Sequence, residues 1–326
     1  MAVVLTALAT LFIASIAVPA DAAPGSPPSG AVTGTQPSIP PQRTPAPVAR
    51  SHYLRMLNGH PAHDYPVMRR MGAVDAARNR PNHRYLVLQD IGAQARGGVV
   101  LSATVRYVTY GELVGALEAY LAGYVSHQRP AAPAIIAVGT NNDGIVSRAE
   151  GIVWARRVVR PLAVWCQQHA PDVQIAGAND MEPGFRGSVR ATEAWLAGFL
   201  AGGTADFVFN GSADGCPTNL RHVRCNNRWT THALHWLAGG ADRSRIMALP
   251  QIYNTTMPWQ WKAISAVHQA RLDVVGPLTE HQACQQARSC FSVVNPRAWR
   301  MLFHALRSSR ITAVPQLPYG PDLRIN

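Results

Sequence analysis

The stretch VQIAGANDMEPG, residues 173–184, passes from an apolar run into two acids and then a Pro-Gly turn. Val173–Ala176 reads as a buried strand, and the amphipathic run 188–201 that follows reads as a helix. The same unit recurs outward in both directions. Strands are expected at Tyr85–Gln89, Val99–Val108, Ala134–Val138, Val173–Ala176, Asp206–Phe209, Ile246–Pro250, Leu272–Val275 and Ile311–Val314. Helices are expected at 110–126, 147–169, 188–201, 228–238, 257–270 and 295–308. Thr109 with Glu112, and Ser147 with Glu150, have the spacing of capping boxes. Asn295 precedes Pro296 at an expected helix start. Pro161 should kink or divide the second helix, because it removes a backbone donor.

Strands alternating with helices imply a parallel sheet covered by helices. The length of 326 residues and the near-eightfold repeat predict an α/β fold, a (β/α)8 barrel of the TIM type. Only DIGAQARGG separates the first two strands, too short for a parallel crossover. Val99–Val108 is therefore expected as a hairpin inserted after the first strand, which makes the barrel irregular.

Residues 1–23 form an apolar run ending in small residues, with Ala20-Asp21-Ala22 resembling a signal-peptidase site. No Lys or Arg precedes Arg43, so the segment reads either as a signal peptide or as a retained N-terminal anchor. Residues 24–50 are rich in Pro, Gly, Ser and Thr and read as a linker. Residues 51–326 are expected to form a single barrel domain. Four cysteines suit export: Cys216 with Cys225, and Cys284 with Cys290, are close enough to staple loops. Cys166 falls in a helical run and is expected as a buried free thiol. The protein should be secreted or associated with the cell envelope.

The net charge is +12, nearly all from arginine, since Lys262 is the only lysine. A basic surface suits anionic wall polymers. There is no RNA-binding signature, zinc-finger spacing or basic helix, so no specific nucleic-acid partner is expected. G-x-S-x-G, P-loop and HExxH motifs are absent from the sequence. No cofactor and no metal are expected. GTNNDGIVSRAE, residues 139–150, has Asn141, Asp143, Gly144 and Glu150 at calcium-loop spacing. Gly139 stands where the first acidic ligand belongs, and capping by Ser147 accounts for Glu150 without metal.

The chain has 18 acids, and six of them fall at or after expected strand ends: Asp90, Asp143, Asp180, Glu182, Asp214 and Glu280. In a barrel that rim is the C-terminal face, where active sites lie. Loop acids also cap helices and make turns, and ordinary solvated acids at a helix entry remain the alternative. Asp180 and Glu182, two apart in extended chain, share a face. Close carboxylates do not both ionise easily, so one pKa rises. A proton kept on Glu182 makes it a general acid, with Asp180 tuning it or orienting substrate. LPQIYN, residues 249–254, ends another strand with Gln251 and Tyr253 on one face, suited to hydrogen bonding a sugar. Asp90, Asn141, Asp143, Asn179, Asn210, Asp214, Gln251 and Asn254 are the expected substrate-binding positions on the rim. Trp259 and Trp261 follow, with faces able to stack on sugar rings or to pack.

These motifs resemble parts of two glycosidase groups. NDMEPG resembles the fourth-strand D-x-x-D-x-D-x-E of the family-18 chitinases, keeping Asp180 and Glu182 but with Ile175 and Ala178 at the earlier acids. QIYN resembles the Gln-x-Tyr-Asn of plant-type members. That resemblance implies Glu182 as acid, Asp180 as its partner and Tyr253 as a stabiliser of a substrate acetamido group. The second likeness is to retaining glycosidases of the 4/7 barrel superfamily, with carboxylates after strands four and seven. Counting the hairpin as strand two puts Glu182 and Glu280 at those places. Asn179 stands three residues before the Glu, where that group has an adjacent Asn. The whole chain, from YLVLQDIGAQ to DLRIN, also resembles a group of exported actinobacterial proteins, a likeness that implies no activity.

The expectation is a secreted glycoside hydrolase-like protein acting on a cell-wall or environmental polysaccharide. Its catalytic set would be Glu182, Asp180, Glu280 and Tyr253, on a monomeric domain with no membrane contact unless the leader is kept. The alternative is a non-catalytic wall- or glycan-binding protein on a degenerate glycosidase barrel.

Overall fold

The computed structural model describes residues 49–326 apart from 81–84, 103, 131 and 289. The leader at 1–23 and all of the linker but its last two residues lie outside the described residues. Those two are ordered: Ala49 is buried and Arg50 opens a strand, so the linker ends earlier than its composition suggested.

The chain builds one mixed sheet flanked by helices. Its strands are β1 (Arg50–Tyr53), β2 (Tyr85–Ala95), β3 (Gly98–Leu101), β4 (Tyr107–Thr109), β5 (Ala134–Asn141), β6 (Val173–Asp180), β7 (Phe207–Phe209), β8 (Ile246–Ala248) and β9 (Asp322–Ile325). The helices are α1 (Pro61–Ala76), α2 (Tyr110–Val125), α3 (Arg148–Trp154), α4 (Arg160–His169), α5 (Val189–Gly202), α6 (Thr231–His235), α7 (Met257–Ser265), α8 (His281–Ala287) and α9 (Asn295–Arg307). The parallel order runs β9-β1-β2-β5-β6-β7-β8. Beyond β8, single parallel bridges join Ala248 to Val274, Gln251 to Leu278, and Thr279 to Asp322 of β9. The expected inserted hairpin is present, with β3 antiparallel to both β2 and β4.

The buried apolar residues fall into two clusters, divided by strand alternation. Val87, Ile136, Ile175, Phe207 and Ile246 face the helices. Leu86, Leu88, Ile135, Ala137, Ala176, Ala178, Val208, Met247, Leu249, Val275, Leu278 and Leu323 form a second cluster on the other face.

Helix packing uses close backbone approach. A Cβ on Gly123 of α2 would lie 1.9 Å from the Arg69 carbonyl of α1, and one on Gly72 2.0 Å from the Tyr120 carbonyl. The α3–α5 pair repeats the device with Gly151 against Trp195 and Gly198 against Arg148.

Both sides of the Thr109/Glu112 capping box are formed. At Ser147 only half is: Ser147 Oγ accepts the Glu150 N–H, while the Glu150 carboxylate accepts from Gln94 Nε2 at 2.9 Å. The helix expected at 147–169 is divided by a wide turn at Ala155–Val159, just before Pro161. The last expected strand needs correction. Ile311–Val314 is a turn following α9, with the Thr312 hydroxyl donating to the Leu306 carbonyl. The last strand is instead β9, held by Asn295 Nδ2 donating to the Gly320 and Pro321 carbonyls just before it. No helix among the described residues is long and apolar enough to cross a membrane.

Candidate active site

Alternation that buries one apolar layer also decides what comes next along each strand. Two residues beyond Leu88, Ala178, Val208, Leu249 and Leu278 stand Asp90, Asp180, Asn210, Gln251 and Glu280. Each continues the face of that apolar cluster in the direction of the strands' C-terminal ends. Tyr53, at the end of β1, packs against the same apolar cluster.

These side chains meet. Gln251 Nε2 donates to Asp180 Oδ1 at 2.7 Å and to the Asn210 carbonyl at 3.2 Å. The Asp180 and Glu182 carboxyls act directly on each other, and the Gln251 amide acts on Glu182 as well. The Tyr53 hydroxyl reaches Glu280 Oε2 at 3.5 Å. A Cβ on Gly184 would lie 3.3 Å from Asp214 Oδ2 and 3.9 Å from Glu182 Oε2, so glycine leaves room between these two acids.

The electrostatics follow from burying acids together. Burial, then Glu182, pushes the Asp90 carboxyl up to about 7, opposed by Arg55. Asp180 rises well above its usual range through burial, then Glu182 and Asp90. Glu182 is pushed up to about 7 by burial, with Asp214 and Glu280 adding and the bonds from Gln251 and Asp180 opposing. Glu280 is also raised by burial, but the Tyr53 hydroxyl and Arg55 favour its ionised form. Tyr53 and Tyr253 are both raised, by burial first; Asp90 and Glu280 come next for Tyr53, and Tyr53 and Glu280 for Tyr253. The two glutamates thus differ: the Tyr53 hydroxyl and the more remote Arg55 charge act on Glu280, whereas the strongest influences on Glu182 include no Lys or Arg.

Several buried polar atoms here have no protein partner. Both amide atoms of Asn210 and Oε1 of Gln251 are in this state. Buried amides left open are uncommon and call for an explanation. Here they lie among the converging acids.

The other rim residues have local duties. Asn141 Oδ1 accepts the Asp143 N–H at 3.1 Å, and exposed Asp143 accepts the Arg186 N–H at 3.3 Å. Asn254 Oδ1 accepts from the N–H groups of Thr256 and Met257 at the start of α7. Asn179 is buried and falls on Ile175's side of β6, toward the helices rather than beside Asp180. Trp261 is buried edge-on to Phe209, whereas Trp259 is 37% exposed with Lys262 over its ring.

Sequence reading missed four contributors. Tyr53 ends β1, a strand with no apolar run to announce it, and Arg55 lies just beyond. Asn142 is fully buried and clamps the acid's backbone: its Oδ1 accepts the Glu182 N–H at 3.0 Å, and its Nδ2 donates to the Glu182 carbonyl at 3.2 Å. Ser292 Oγ accepts the Glu280 N–H at 3.3 Å, beside Phe291, which is 76% exposed.

Both expected disulfides are present, Cys216–Cys225 and Cys284–Cys290, and Cys166 is a buried free thiol. The Glu280 carboxylate and both sulfurs of the second bridge lie within 4.8 Å of one another. Bridged sulfurs are not thiolates, so this trio does not fit a metal. The calcium-loop spacing at 139–150 does not assemble either, because Glu150 is turned to Gln94. A cavity of about 800 Å³ lies elsewhere, lined by Arg160, Gln167, Gln174, Phe199 and Asp206 near the N-terminal ends of β6 and β7, with no converging acids.

The chain matches no protein-family model, and neither a curated protein nor a solved structure is similar to it at a significant level.

Proposed function

We propose that the parallel strands close into an eight-stranded barrel and that the protein is a glycoside hydrolase-like enzyme acting on a polysaccharide outside the cytoplasm. Closure is supported by the run of parallel bridges from β8 through 274–279 to β9, whose other neighbour β1 pairs with β2. In chain order, Glu182 then follows the fourth parallel strand and Glu280 the seventh. The hairpin does not take a place in that count; β1 does.

The observation that carries the activity is the gathering of Asp90, Asp180, Glu182, Glu280, Tyr53 and Tyr253 at one set of strand ends. Glu182, protonated below about 7, is the general acid that protonates the leaving glycosidic oxygen. Glu280, favoured as an anion by Tyr53 and Arg55, is the nucleophile or the base that activates water. Asp180 holds a proton against Glu182, and Tyr253, Gln251 and Asn210 receive sugar hydroxyl or amide groups. The two disulfides support an oxidising, extracellular setting.

The test is release of soluble oligosaccharides from cell-wall and chitin-type polymers. Wild type should release them and Glu182→Gln should lose at least a hundredfold in rate. Equal binding of polymer with no release by either protein supports the second reading, a glycan-binding protein. One observation favours that reading: Ile175 and Ala178 are buried apolar residues where the resembled chitinase motif has acids.

A further inference from the structure

We propose that His232 and His268 form a binding site for a divalent transition-metal ion of the zinc type, with His235 as third donor. The site is separate from the carboxylates and does not depend on their role.

Helix α6 carries His232 and His235 three residues apart, so the two rings share one side of it. His268 comes from a different element, the tight turn Val267–Gln269 after α7. In that turn His268 and Gln269 have φ of 56° and 53°. Two successive non-glycine residues in the left-handed region are costly and must be held by their surroundings. The result is that His268 is set over α6. Its ring stands 5.0 Å from that of His232 at 77° and 6.0 Å from that of His235.

His232 Nδ1 and His268 Nε2 are 3.3 Å apart. Two imidazole nitrogens bound to one tetrahedral zinc at about 2.0–2.1 Å would be separated by about 3.3–3.4 Å. The pair is therefore already spaced as one edge of a zinc tetrahedron.

His235 is buried, and its Nδ1 donates to the Ile264 carbonyl at 2.9 Å. That bond fixes the tautomer and leaves Nε2 as the free lone pair, the usual second contact of a metal-binding histidine. As they stand the three imidazoles do not form a ready three-donor group among the described residues; the third contact requires the exposed His268 ring to turn toward His235. The three rings border a cavity of about 590 Å³, with Glu193, Arg228 and Arg243 also on its lining. The two guanidinium groups disfavour hard cations held by charge alone. They leave an ion that binds through imidazole lone pairs.

The experiment titrates the full, disulfide-intact chain with Zn²⁺ by calorimetry and with Co²⁺ by visible absorption. One equivalent should bind, and cobalt should show the intense bands of a four-coordinate ion. His232→Ala and His268→Asn should each weaken binding at least tenfold and remove those bands. Asn is chosen at 268 because it tolerates the left-handed backbone. Glu182→Gln should bind as wild type does. No binding up to millimolar Zn²⁺, or affinity unchanged in both histidine variants, would overturn the proposal.

Discussion

Asn142 fixes the Glu182 backbone from both sides, through its N–H and its carbonyl. An acid held this way is aimed before substrate arrives. Small misplacements of catalytic groups cost about a hundredfold in rate. Asn142→Ala should therefore lower kcat of oligosaccharide release by about 10–100-fold with a smaller change in KM. Asn142→Asp, which keeps the acceptor and loses the donor, should fall between. A raised KM with kcat unchanged would show that the clamp does not aim the acid. The neighbour Asn141 looks identical in sequence. Which of the two turns inward depends on where β5 stops and the chain bends, and no local pattern records that. Asp90, Asp180, Gln251 and Glu280 were legible for the opposite reason. Each follows an apolar run in step with strand alternation, so burying the run fixes the direction of the acid or amide.

Between elements, the reciprocal glycines allow α1 to touch α2 and α3 to touch α5, backbone to backbone. Alanine usually helps a helix by up to about 1 kcal/mol over glycine. At Gly198 the added Cβ would lie 2.0 Å from the Arg148 carbonyl, an overpacking that costs about 1–3 kcal/mol. Gly198→Ala should thus lower the urea midpoint; a raised midpoint would mean the helices can separate without loss. Helix α1 escaped the sequence reading because its buried side includes two acids. Asp75 meets His52 at 2.6 Å and accepts from the Tyr120 hydroxyl at 2.8 Å. Asp64 accepts from the N–H groups of Asn58 and Gly59. Buried charge hides a helix from any search for apolar periodicity. Strand β9 was hidden likewise: DLRI has little apolar character and is set by pairing with β1, while ITAV at 311–314 has the composition of a strand and no partner strand.

For the molecule as a whole, gathered acids oppose folding whenever they must ionise. The folded pKa of Asp90 and of Glu182 is about 7, against ordinary values of 3.8 and 4.5. Between these limits the folded chain holds more protons than the unfolded one, so stability falls as pH rises. Each retained proton contributes a slope of up to about 1.4 kcal/mol per pH unit. Buried His235, with its lowered pKa, acts in the opposite sense below its ordinary 6.5. The comparison that isolates the acids is wild type against Asp90→Asn, by urea unfolding from pH 5 to pH 8. The variant should lose part of the decline; identical slopes would mean Asp90 ionises as freely folded as unfolded.

The Cys284–Cys290 bridge ties α8 to the chain that carries Phe291 and Ser292 alongside Glu280. Its ring is small and its second cysteine is exposed, which leaves the bridge open to reductants. Protein made in a reducing cytosol would pass for native by circular dichroism while the segment beside Glu280 lacked its covalent tie. A recombinant batch that releases no oligosaccharide therefore counts against the proposed activity only once its free thiols have been counted.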